Sequence, residues 1–235
     1  MNVSTLGNRN SKTYIKIEGL TGKRTDIILF SDVRAGSKAK EIEGLFRMTK
    51  NGNYVTYINS TKNSRGVGIA IKKSISHKVH RRIEDRDTEN YIVLDVEIKN
   101  RRMFLGCVYG PNENNVEFYS KLRRELSRDN WPIILGGDFN TILDQDNTAE
   151  NLDRIGAGRI PNKLNSTYIN NWIKDGEILE PFRAMYPETR EISYVSYRGV
   201  AGVLAGRGEA GINTFGKTRL DFYWVLYKAY ATPIG

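Results

Sequence analysis

The sequence has almost no cysteine, no long apolar run, no apolar leader and no proline-rich linker. Each shortage closes off a class of protein. One cysteine among 235 residues, Cys107, excludes an internal disulfide and any multi-cysteine zinc site. Its setting, MFLGCVYG, reads as a small buried filler. No stretch approaches the roughly 20 apolar residues of a membrane span. The opening MNVSTLGNRNSK lacks the apolar core of a secretory signal, so none is expected. Without an internal repeat or a Pro-rich linker, one domain over residues 1–235 is the simplest reading. Acidic residues are also in deficit, 27 against 36 Lys and Arg, for a net charge of +9. Such a surplus favours a polyanionic partner, because each basic contact to a phosphate releases condensed counterions.

What is present is soluble globular composition, 39% hydrophobic and 27% charged, in a chain long enough to bury a core without staples. Short apolar runs separated by turn residues predict strands over residues 25–33, 53–59, 66–73, 91–99, 103–110, 131–140, 192–198 and 219–227. The turn Asn100-Arg101-Arg102 predicts a hairpin between the fourth and fifth of these. Helical spacing of Val116, Tyr119, Leu122 and Leu126 predicts a helix over 115–128. Leu164, Tyr168, Ile169 and Trp172 do the same over 162–174, and a weaker helix is expected over 38–46. The Gly-rich segment 199–217 reads as a mobile surface loop between two strands. Many strands with a few connecting helices point to an α/β-sandwich of mixed sheets.

Four short constellations can carry chemistry. Gly136-Gly137-Asp138-Phe139-Asn140 follows the apolar run Ile133-Ile134-Leu135. Strand alternation predicts Asp138 and Asn140 on one side and Phe139 in the core. The carboxylate can activate a water and the amide can hold that water or a phosphate oxygen. The alternative is an Asx-type turn ending the strand. Asp32 closes an apolar strand and is a natural ligand for a hard cation, or else a solvated strand-end carboxylate. Tyr109, in Tyr109-Gly110-Pro111-Asn112, is either a hydrogen-bond donor to phosphate or a core aromatic with a wet hydroxyl. Arg219 and Asp221 share one face of the last strand, where an ion pair would explain them equally.

In order along the chain, Asn2, Asp32, Tyr109-Gly-Pro-Asn, Gly136-Gly-Asp-Phe-Asn and Arg219-Leu-Asp resemble the endonuclease/exonuclease/phosphatase superfamily. The segments Arg65-Gly66-Val67-Gly68-Ile69-Ala70 and 181–187 are similar to the nicking domains of non-LTR, LINE-type retrotransposons. The resemblance implies a DNase I-like, four-layered α/β-sandwich of two mixed β-sheets flanked by helices. It implies a hydrolase that nicks double-stranded DNA with Mg²⁺, or Mn²⁺, as cofactor. Asp32 and Asn2 would hold the metal. Asp138, Asn140, Tyr109 and Asp221 would be catalytic, and Asn112, Arg198, Arg207 and Arg219 would contact DNA. It further implies a reverse transcriptase in the same parent polyprotein, and action in the nucleus. A phosphatase of the same fold, or a DNA-binding module that has lost catalysis, are the alternatives.

Three departures bear on that expectation. Ser4 stands where relatives carry Asp or Asn, and Asp32 stands where they carry Glu. The family's closing Ser-Asp-His, whose His would partner Asp221, has no counterpart before Gly235, and the chain begins at the residue that should follow the first strand, so a domain clipped at both ends, or a degenerate copy, is expected. The two histidines, His77 and His80, lie in the wrong part of the chain for that role and read as surface or strand residues.

Overall fold

The computed structural model describes residues 6, 11–21, 25–50, 52–143, 154–155, 162–186, 188–189, 194–197, 215–218 and 221–226. Its centre is a five-stranded sheet built from β4 (His77–Glu84), β5 (Tyr91–Ile98), β6 (Arg101–Tyr109), β7 (Ile133–Asp138) and β11 (Asp221–Leu226). The strand order is β11-β7-β6-β5-β4, with β6 and β7 parallel and every other pair antiparallel. A parallel pair needs a crossover, and α3 (Val116–Ser127) supplies it. A second sheet, ordered β1-β3-β2, joins β1 (Ile27–Ser31), β3 (Val67–Lys72) and β2 (Tyr54–Asn59). A third pairs the short strands β8 (Arg154–Ile155), β10 (Phe215–Thr218) and β9 (Tyr194–Tyr197).

The period-2 alternation of the strands decides how the layers stack. Along β5, Ile92, Leu94 and Val96 meet Leu29, Val67, Ile69 and Ile71 of the facing sheet. Tyr91 and Val93 point the other way, onto Phe118, Tyr119 and Leu122 of α3 and Ile169 and Trp172 of α4 (Lys163–Lys174). The far face of the smaller sheet, with Ile28, Phe30, Tyr54 and Ala70, is covered by Ile17 of α1 (Ser11–Thr21) and by Ile42 and Phe46 of α2 (Ala39–Arg47). The result is the expected four-layered α/β-sandwich, two sheets between two helical layers. Each fully buried Phe, Leu or Ile contributes about 1.5–3 kcal/mol. Burial on both faces explains why β5 reads as a nearly continuous apolar run.

The structure departs from the sequence reading in five places. The hairpin turn is Lys99-Asn100, with φ of 49° and 64°, and Ile98 pairs with Arg101. Two positive φ values give the primed turn whose twist suits two-residue hairpins, so Arg101 and Arg102 belong to β6. Strand β4 went unread because its apolar residues are sparse: it is a largely exposed edge with a register shift between Val79 and Arg81. Helix α1 also went unread, having only a weak apolar stripe. The end of the segment taken for a surface loop, 199–217, lies in β10, while 199–214 fall outside the described residues. A short helix, α5 (Pro181–Met185), occupies much of the segment 181–187.

Candidate active site

Three strands end together at the same edge of the sandwich. In the parallel pair β6–β7, Tyr109 lies in register with Asp138. In the antiparallel pair β7–β11, Asp221 lies in register with the same Asp138. Across the sandwich, β1 ends at Ser31 and hands the chain to Asp32. The Cys107 thiol donates to the Phe30 carbonyl at 3.3 Å, tying β6 to the end of β1.

Two glycines permit the close approach on which this depends. Gly137 has φ 138°, and a Cβ there would sit 2.0 Å from the Val108 carbonyl oxygen of the neighbouring strand. A Cβ on Gly110 would sit 2.2 Å from the Phe139 carbonyl oxygen. With neither present, the Gly110 amide donates to the Asp138 carbonyl at 2.7 Å. Phe139 is fully buried, and its carbonyl takes the Tyr119 hydroxyl at 2.6 Å.

Beyond β7 the chain turns rather than continuing extended. Asn140 has φ 49°, and its backbone N–H donates to Asp138 Oδ1 at 2.9 Å. The Asx-type turn and the paired Asp138 and Asn140 are therefore one arrangement. Asn140 Nδ2 donates to the Gly110 carbonyl at 2.7 Å, and the Asn140 carbonyl accepts Asn162 Nδ2 at 2.7 Å. Burial pushes the Tyr109 hydroxyl above its ordinary pKa, and the negative charges of Asp32 and Asp138 push the same way. The nearby Asn140 amide and the Arg34 charge offset part of this. Tyr109 is thus held protonated, as a donor, between two carboxylates and a guanidinium.

Asp32 is 3% exposed and has φ 61°. Arg34, at φ 50°, folds back onto it, with Nε 2.7 Å from Oδ1 and Nη2 3.1 Å from Oδ2. Left-handed non-glycine residues cost on the order of 1–3 kcal/mol each and persist only where their surroundings over-determine them. Here the Val33 and Arg34 amides donate to the Gly66 and Arg65 carbonyls, and the Ala35 amide donates to Ser60 Oγ.

A divalent ion at Asp32 would have to share its carboxylate with the Arg34 guanidinium, and Asn2, the other expected ligand, lies outside the described residues. Both Asp32 oxygens are held by the Arg34 fork. Two unit charges of like sign 4 Å apart repel by about 4 kcal/mol near a protein surface, and a divalent ion doubles that. Among the described residues, no group of three Asp, Glu, His or Cys side chains is placed to share an ion.

Of the residues singled out from sequence, Asp32, Tyr109, Asp138 and Asn140 come together, and the backbone of Asp221 lies beside Asp138. Asn112 is exposed on the turn after β6. Asn2, Arg198, Arg207 and Arg219 fall outside the described residues. His77 and His80 lie on β4, three strands from β7. Sequence reasoning missed Arg34, whose only signal was a cation two residues past a strand-end aspartate.

Residues 8–222 match the model of the Endonuclease/Exonuclease/phosphatase family. No curated protein sequence matches. Solved structures with a similar fold include the AP endonuclease LMAP from Leishmania major, with TM-score 0.65 at 15% identity, covering 96% of this chain and 77% of that one. The APE2 catalytic domain of Xenopus laevis gives 0.63 at 14% identity, over 96% and 81% of the two chains. A mannosyl-6-phosphatase of Bacteroides thetaiotaomicron gives 0.54 at 11% identity, over 96% and 84%. Enzymes of the matching family generally depend on a divalent metal. On the match over nearly its whole length, this chain belongs to the Endonuclease/Exonuclease/phosphatase family.

Proposed function

We propose that the protein is a hydrolase that nicks double-stranded DNA, as the target-site endonuclease of a non-LTR retrotransposon. The observation that carries the reading is the meeting of Asp138, Asn140 and Tyr109 at one end of the sandwich, with Asp32 beside them. Asp138 orients and deprotonates the attacking water, having one oxygen fixed by the Asn140 amide. Tyr109 and Asn140 hold phosphate oxygens as negative charge builds on them, and such donors act best when already in place. Asp221, whose backbone lies in register with Asp138, would orient a catalytic His near the scissile phosphate where one is supplied. A divalent metal, when bound, would neutralise phosphate charge.

A net charge of +9 favours DNA over a small phosphate ester, as do the segments 65–70 and 181–187. As a retrotransposon nickase the protein would act on nuclear DNA beside a reverse transcriptase of the same polyprotein. Asn112, exposed on the turn after β6, would contact the DNA. The deciding assay is conversion of supercoiled plasmid to open circles, with Mg²⁺ and with EDTA, beside phosphate release from nucleotide and inositol monoesters. Open circles are the expected product. Phosphate release without nicking would make the protein a phosphatase. DNA retention with neither product would leave a binding module.

A further inference from the structure

Arg34 is the strongest feature of the site that the reading above leaves unused. Asp32 takes only two of the five N–H donors of a guanidinium, those on Nε and Nη2. The other donors project from the opposite edge of the planar group, and the Arg34 side chain is 43% exposed while that of Asp32 is 5% exposed. A buried carboxylate thus grips one edge of an arginine and presents the other outward. The grip is rigid, because the backbone amides of Val33, Arg34 and Ala35 are all hydrogen-bonded to the loop around residues 60–66. The Cys107–Phe30 hydrogen bond ties the end of β1, just before this turn, to β6, and the Arg34 charge reaches the Tyr109 hydroxyl together with those of Asp32 and Asp138.

We infer that Arg34, oriented by Asp32, is a phosphate-binding residue of this site and supplies the positive charge that a divalent ion would otherwise bring to Asp32. The inference rests on the phosphoryl-cleaving reading of the site. A planar guanidinium with parallel free N–H groups matches two phosphate oxygens at once, which an ammonium cannot do. Asp32 is then a positioning residue, acting through Arg34. Each oxygen of Asp32 already gives a lone pair to the guanidinium, so a metal arriving there has to share the carboxylate against the like charge of Arg34. With Arg34 as the cation, phosphate binding at this site is expected to persist without a divalent ion.

The test is a calorimetric titration of the full chain with inorganic phosphate, in EDTA and again in Mg²⁺. It is run for the native protein, Arg34→Gln, Arg34→Lys and the double variant Asp32→Asn/Arg34→Gln. The double variant removes the unpaired buried carboxylate that Arg34→Gln alone would leave, and melting curves report whether each protein is folded. Native protein is expected to bind phosphate equally with and without Mg²⁺. Arg34→Gln and the double variant should bind at least about tenfold more weakly, the range of a lost charge-assisted hydrogen bond. Arg34→Lys should recover only part of that loss. Undiminished binding by the folded double variant would overturn the inference. So would native binding that appears only with Mg²⁺ and persists, or tightens, without Arg34. Phosphate binding with no change on losing Arg34, together with plasmid nicking that fails in Asp138→Ala, would remove Arg34 and spare the proposed function. Absence of phosphate binding under every condition would remove both.

Discussion

Asp138 is 6% exposed and gives one oxygen to the Asn140 amide, so its carboxylate is fixed before any substrate arrives. Replacing it with Ala should lower nicking by 10²–10⁴-fold, the usual span for a general base. Affinity for DNA should stay within a few-fold, because it is spread over many cations. Plasmid nicking and anisotropy with a labelled duplex measure the two separately, and retention of more than about a tenth of the activity would take the role from Asp138. Gly137 makes a sharper demand, since any Cβ there collides with the Val108 carbonyl at a φ only glycine tolerates. Gly137→Ala should cost at least about 1–3 kcal/mol in a denaturant melt and displace Asp138 as it does so. The motif GGDFN made this part of the site legible, because glycines, carboxylate and amide are adjacent in sequence. Arg34 was not legible: two successive reversals of φ, at residues 32 and 34, bring its side chain onto Asp32, and periodicity carries no signal for such a turn.

Strands with both faces covered, β3, β5 and β7, stood out as apolar runs, and α3 and α4 stood out by helical spacing. Helix α3 also begins where its cap dictates, with Asn115 Oδ1 accepting the Phe118 amide at 3.0 Å. Asn115→Ala should therefore cost about 1 kcal/mol, read as a lowered melting temperature. Edge strand β4 was illegible because its charged residues are stabilised by neighbours from elsewhere: Arg81 pairs with Asp129 at 2.6 Å and His80 with Glu97 at 3.2 Å. The hairpin β5–β6 carries the best-formed ion pair, both Asp95 oxygens being bound by Arg102 at 2.8 Å. Hydrogen bonds from Arg102, then its charge, hold the Asp95 pKa below its ordinary 3.8 against the opposing effect of burial. A depressed carboxylate contributes stability that is present above its unfolded pKa and is lost as pH falls through the folded one. Arg102→Gln should accordingly be destabilised at pH 7, and its deficit relative to the native protein should shrink below pH 3.8. A deficit that stays constant from pH 7 to pH 2 would show that Arg102 acts through its stacking on Trp131, 4.8 Å away, instead.

At the scale of the molecule, alternation told which face of a strand is buried but not which strand lies beside it. The order β1-β3-β2 and the parallel joining of β6 to β7 come from packing between distant segments, which no local window contains. Net charge, by contrast, is fully legible and makes a prediction of its own. The described basic residues Arg81, Arg82, Arg102 and Arg123 are each engaged by acidic neighbours, yet the chain as a whole retains +9. If that surplus serves a duplex, binding is driven by counterion release, and affinity must fall steeply with salt. A footprint of six to ten phosphates corresponds to a loss of roughly 10³–10⁵ in affinity between 50 and 200 mM salt. Anisotropy titrations of a labelled duplex with Asp138→Ala, which is expected to bind with little cutting, give the slope directly. Removing one carboxylate from the site should leave that slope unchanged, because the slope counts phosphates neutralised and not chemistry. A hydrolase of small monoesters meets one phosphate at a time and would show a slope near one. A shallow slope for the duplex would therefore turn the reading from DNA towards a small phosphate ester, while leaving the fold and the arrangement of Tyr109, Asp138 and Asn140 in place.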